Sequence, residues 1–98
     1  MSQPIYVTAK FRIKTEKLSE ANALMQNLIT KTLQNEENCI SYTYLKNNNV
    51  ENEFTSFEIW KDADAEANHW TTSHIAEALK QLPEMLETEP EINKWNRI

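Results

Sequence analysis

Strict alternation over residues 5–13, a helical stripe beginning near Thr15, and a strand, strand, helix, strand run behind it predict an α+β fold of the ferredoxin-like type. In that fold a four-stranded antiparallel sheet carries its helices on one face, because crossovers between neighbouring strands return over the same side. The 98 residues suffice for one domain, spanning 1–98.

The first strand places Ile5, Val7, Ala9, Phe11 and Ile13 on one side and Tyr6, Thr8, Lys10 and Arg12 on the other. From Thr15, read as an N-cap, the apolar period changes to Leu18, Ala21, Leu24, Met25, Leu28, Ile29, Thr32 and Leu33. This helix of about 20 residues should stop between Glu36 and Asn38, with Asn38 in the left-handed position that glycine commonly takes. Cys39 to Lys46, rich in β-branched and aromatic residues, reads as strand two, and the Asn47, Asn48, Asn49 run as a turn.

Phe54 to Lys61 is strand three, with Phe57 and Ile59 on one face and Glu58 and Trp60 on the other. Asp62 or Asp64 should cap a short helix ending near Trp70. Ser73 should cap a second that turns Ile75, Ala78, Leu79 and Leu82 inward until Pro83 breaks it, with Met85 and Leu86 beneath the turn. The tail from Thr88 to Ile98 holds Ile92, Trp95 and Ile98 behind Pro90, which suits an edge strand.

Composition narrows the chemistry. The chain has eleven asparagines and no glycine, which excludes phosphate-cradling glycine loops and the usual nucleophile elbow. The net charge of -5 divides into +2 over residues 1–49 and -7 over residues 50–98. Lys10, Arg12, Lys14 and Lys17 form the only basic cluster, read as a solvated strand edge and helix start, so nucleic acid is not an expected partner. Cys39, the sole cysteine, has no second thiol to pair with and is read as a structural, half-buried residue. No apolar run approaches the roughly 18 residues that span a bilayer, and no signal-peptide pattern opens the chain. A cytoplasmic protein without a membrane partner is expected. The open sheet face, bearing Tyr6 among large aromatics and polar groups, is expected to join two copies into a homodimer.

The candidate site gathers Glu58, Trp60, His69, Trp70 and His74. Positions five apart on one helix point about 140° away from each other, so His69 and His74 can converge only because Thr71, Thr72 and Ser73 interrupt the helix. Glu58 beside them would fix one imidazole tautomer and make a general base near neutral pH. Two histidines and a carboxylate match a metal facial triad in residue type. Glu58, however, precedes the histidines by eleven and sixteen residues, a spacing without precedent among metal motifs, and no metal is expected. Trp60 and Trp70 are core or interface aromatics that could also wall a flat apolar pocket.

Several marks together resemble the antibiotic biosynthesis monooxygenase family. They are Phe57-Glu58-Ile59-Trp60, the following Lys61-Asp62-Ala63-Asp64-Ala65, His69 nine residues after Trp60, Thr71-Thr72-Ser73-His74, and upstream Glu36-Glu37-Asn38-Cys39. The resemblance covers nearly the whole chain and implies a dimeric α/β barrel joined through its sheets, with a cavity between sheet and helices often used without metal, flavin or haem. The family commonly has glycine where Asn38 stands. The haem-degrading branch has asparagine, tryptophan and histidine where this chain has Phe11, His69 and Leu79, so haem degradation is not implied. The pair His69 and His74 instead resembles the quinol-oxidising and furanone-processing branches.

The expected function is a cofactor-independent monooxygenase acting with dioxygen on a small aromatic such as a quinol or polyketide phenol. His74 or His69 would be the base, Glu58 its orienting partner, and Trp60 or Trp70 a pocket wall. Two alternatives use the same residues: an isomerase or tautomerase on a small oxygenated signalling-type ligand, and a non-catalytic ligand-binding dimer.

Overall fold

The computed structural model describes residues 3–98. Strands β1 (Ile5–Arg12), β2 (Cys39–Lys46), β3 (Glu53–Trp60) and β4 (Glu91–Trp95) and helices α1 (Leu18–Asn35), α2 (Ala63–His69) and α3 (Ser73–Met85) follow in the order β1, α1, β2, β3, α2, α3, β4. The sheet order is β2-β3-β1-β4, with every neighbouring pair antiparallel. This is the ferredoxin-like α+β arrangement that the alternations predict.

Register assigns the two faces. Val7 lies opposite Glu58 and Tyr6 opposite Ile59 across β1 and β3, while Tyr42 faces Glu58 and Tyr44 faces Ser56 across β2 and β3. Side chains alternate along each strand. Val7, Phe11, Tyr42, Glu58 and Trp60 therefore look toward the helices, and Tyr6, Phe57 and Ile59 look away. The apolar stripe of α1 closes over the helix side, burying Ala21, Leu24, Met25 and Leu28 against Val7, Phe11, Tyr42 and Trp60, with Ile75, Ala78 and Met85 from α3. Leu33, expected inward, is half exposed near the end of α1. β4 is an edge strand just after Pro90, where a missing N–H donor is tolerated.

Several local expectations are corrected. A single 3-10 turn, Thr15–Lys17, precedes α1, and neither Lys14 nor Lys17 at the two N-caps makes a side-chain capping hydrogen bond, so Thr15 lies inside a turn and is not a cap. Asn38 is not left-handed, since no described residue has positive φ. The chain leaves α1 instead through Glu36 at φ -119 and ψ 88, and the amide of Cys39 donates to the Glu36 carbonyl at 3.0 Å. The asparagine run works through a side chain: Asn47 Oδ1 accepts the Asn49 amide at 2.8 Å, an Asx turn that needs no positive φ.

Asp62 caps α2, its carboxylate accepting from the Ala65 amide at 2.9 Å. At the head of α3 the cap position is Thr72, not Ser73, and the Thr72 hydroxyl donates backward to the His69 carbonyl at 2.7 Å. Pro83 does not break α3, which continues to Met85. Proline removes one helical donor near the end, and the final turn is held from outside. The Lys14 amide bonds the Met85 carbonyl at 2.8 Å, Ile13 bridges to Leu86, and Met85 is buried. Among the described residues no helix is long and apolar enough to cross a membrane.

Candidate active site

Three helix ends meet beside the sheet. Because Glu36 has left the helical conformation, its side chain is free to turn toward α2 and α3. His69 is the last residue of α2, and His74 is the second of α3. Between them the Thr71 amide bonds Asn68 and the Thr72 amide bonds His69, a tight break that folds the two imidazoles to within 5.9 Å, centroid to centroid. Both rings then reach one oxygen: Glu36 Oε2 lies 2.7 Å from His69 Nδ1 and 2.6 Å from His74 Nε2.

A carboxylate only accepts hydrogen bonds, so an ionised Glu36 draws a proton onto His69 Nδ1 and onto His74 Nε2. His69 is then left with a lone pair on Nε2, a nitrogen without a hydrogen-bond partner among the described residues. Its ring is only 2% exposed and packs 4.7 Å from Trp60 and 5.4 Å from Tyr42. That same ring lines a cavity of about 110 Å³ between sheet and helices, with Phe11, Tyr42, Tyr44, Glu58 and Trp70 among its walls. His74 faces the opposite way, into an open groove between α1 and α3.

The convergence of His69 and His74 is therefore present, but on Glu36; Glu58 is engaged elsewhere. Glu58 Oε2 accepts from the Ser56 hydroxyl at 2.6 Å, and Oε1 accepts from Trp60 Nε1 at 3.0 Å. Burial pushes the Glu58 carboxyl above its ordinary range, opposed by these two hydrogen bonds. Trp60 is fully buried beneath His69 and does not line the cavity. Trp70 does line it, and its Nε1 is tied to buried Glu66 at 2.7 Å. Glu66 also accepts from Lys94 of β4 at 3.0 Å, joining the cavity wall to the edge strand. Leu79, expected inward, is half exposed where α3 borders the same cavity.

The remaining polar groups are donors more than bases. Tyr42 and Tyr44 share a hydroxyl hydrogen bond at 2.9 Å. Burial holds the Tyr42 phenol far above its usual range and pushes Tyr44 up to about 12. Cys39 is likewise pushed up to about 12, by burial first and then by Glu36 and Glu58, which leaves it a thiol and a poor nucleophile.

Glu36 is the site residue that the sequence reading passed over. It stands 33 and 38 residues before the histidines, and a glutamate at a helix end looks like a solvated one. The available signal was its place in Glu36-Glu37-Asn38-Cys39, which resembles the same family as the two histidine segments do.

The family model described as antibiotic biosynthesis monooxygenase matches residues 4–82. The chain belongs to the antibiotic biosynthesis monooxygenase family. Glu36, His69 and His74 all lie inside the matched span, so the site is built from the part of the chain that carries the family likeness. An uncharacterized protein of Synechocystis sp. is 32% identical over 89 residues, 91% of this chain, and the chain spans 60% of that curated relative's length. A conserved protein from Methanosarcina mazei Go1 is similar in structure at TM-score 0.93 and 34% identity, covering 99% of this chain and 95% of that one. A Caulobacter crescentus CB15 structure matches at TM-score 0.94 and 21% identity, over 99% of this chain and 92% of the other, a likeness of fold alone. The family supports a monooxygenase-like function in general.

Proposed function

We propose that this antibiotic biosynthesis monooxygenase family member is a cofactor-independent monooxygenase acting on a small aromatic that bears a hydroxyl group, a quinol or phenol, with His69 as the base. One observation carries the reading: His69 is gripped through Nδ1 by Glu36 while its ring lines a mostly enclosed, aromatic-walled cavity. A base needs a lone pair aimed at substrate and a partner that stabilises the cation it becomes, and Nε2 and Glu36 take those two parts. The cavity has room for about one aromatic ring.

Removal of the phenolic proton by Nε2 gives an electron-rich anion, which the neutral tyrosine hydroxyls can solvate in the absence of water. That anion passes an electron to dioxygen, and recombination forms a ring hydroperoxide. One oxygen atom stays on the ring carbon; the other leaves as water with two hydrogens of the quinol. The proton taken up by His69 is one of those two hydrogens and returns from Nε2 to the departing oxygen, while Glu36, itself held by His74, stabilises the imidazolium in the interval. Trp70 is a wall, while Glu58 and Trp60 hold the sheet beneath. Oxygen uptake with simple quinols tests the assignment: His69→Ala should lower turnover by about a hundredfold or more. An active enzyme that keeps its full rate in this variant removes His69 from the role.

We further infer that two copies associate through the open sheet face. Tyr6 and Phe57 lie 6.4 Å apart there, and Trp95, 54% exposed, donates to Thr8 Oγ1 at 2.9 Å. These rings leave an aromatic surface on which a second copy fits by two-fold symmetry. Sedimentation should give a dimer at micromolar concentration and a monomer for the double variant Phe57→Lys, Trp95→Lys.

A further inference from the structure

We propose that Glu36, His69 and His74 capture a zinc ion, and that the captured metal switches the site off. The donor atoms of the three residues all lie within 4.8 Å of one another. They come from three different helix ends, and all three side chains are at least nine-tenths withdrawn from solvent. Two imidazoles and one carboxylate suit zinc, which binds such ligands at about 2.0–2.2 Å in tetrahedral sites. That geometry asks the ligand atoms to stand about 3.4 Å apart, so the present 2.6 and 2.7 Å contacts must open by less than 1 Å while the two imidazole nitrogens, within 4.8 Å of each other, settle to the same spacing.

The hinge for that opening is Glu36, which has already left the helix. His69 is held by its packing on Trp60 and Tyr42. The groove on the His74 side gives the ion an entrance and supplies water for a fourth ligand.

The consequence for catalysis follows from which nitrogen is used. His69 meets Glu36 through Nδ1, so a metal at this point takes the Nδ1 lone pair, and the single proton of the neutral ring moves to Nε2. His74, ligating through Nε2, moves its proton to Nδ1 in the same way. No net proton is released from the two rings. The nitrogen proposed to deprotonate substrate thereby becomes a donor. This inhibition rests on the base assignment made above, whereas the metal site itself does not.

Zinc chloride titrated into the untagged, metal-free chain, in competition with a chromophoric chelator, should show one ion per chain. Glu36→Gln and His74→Ala should each weaken binding about tenfold or more, and Cys39→Ala should leave it unchanged. Nitrogen-15 spectra should place the His69 proton on Nε2 in the zinc-loaded protein. An absence of stoichiometric binding, or binding that neither Glu36→Gln nor His74→Ala weakens, overturns the site. Zinc bound at the trio with quinol oxidation unaffected overturns the inhibition. Zinc bound there in a chain that oxidises no quinol when metal-free upholds the site and sinks the monooxygenase reading instead.

Discussion

Glu58 projects from the middle of β3 and commits both oxygens to fixed neutral donors, whereas Glu36 hangs off the end of α1 and gives one oxygen to two imidazoles. Both are withdrawn from water and both sit within the matched family region. The difference lies in their partners. A carboxylate held by serine and tryptophan organises a core, while one held by two histidines governs where protons reside. Burial by itself therefore does not mark the chemical carboxylate; what it bonds does.

The largest expected effect falls on the Glu58 side. Trp60→Ala removes a fully buried indole and one of the two donors to Glu58, and should cost about 3–5 kcal/mol in denaturant unfolding. A loss below about 1 kcal/mol would mean that the tryptophan does not organise this side at all. On the Glu36 side, Glu36→Gln keeps the side chain's shape and removes its charge. Turnover should fall by about a hundredfold while the unfolding midpoint moves little. Equal loss of stability in the two variants would erase the contrast between them.

The smallest effect sharpens the contrast through pH. Burial raises the Glu58 carboxyl above its ordinary value of 4.5 in the fold. Across the interval from about 4.5 up to its folded value the native state holds more protons than the unfolded one, so stability falls as pH rises through that interval. Below it the group has no effect, and above it the full penalty is present. Glu58→Gln should therefore flatten the pH dependence of unfolding, changing stability at neutral pH by less than about 1 kcal/mol net of altered hydrogen bonds. A steeper profile in the variant would contradict the direction.

Strands were legible because their signal is local. The alternation in residues 5–13 and the β-branched run at Cys39 need only the chain's own period, and β1, β2 and β3 fall within a residue of their expected bounds, while β4 occupies only the middle of the expected tail. The ends of helices were read less well. Pro83 stays helical because Ile13 and Lys14, just past β1, grip the final turn from about seventy residues away in sequence, and Asn38 needs no left-handed backbone because Glu36 turns the chain first. The site was half visible for the same reason. His69 and His74 are joined by a short break that can be seen in sequence, but the carboxylate that unites them arrives by tertiary packing, so strand neighbour Glu58 was taken for it.

The absence of positive φ among the described residues reaches into experiment design. A glycine-free chain whose backbone stays in ordinary regions already carries a Cβ at every position. Alanine scanning along it meets no site where the new methyl group collides with the main chain, so apart from the prolines each substitution reads mainly the lost side chain. The same property lowers the conformational freedom of the denatured chain relative to a glycine-bearing relative. This makes the protein a clean host for separating what a helix-end glutamate does from what the backbone beneath it does.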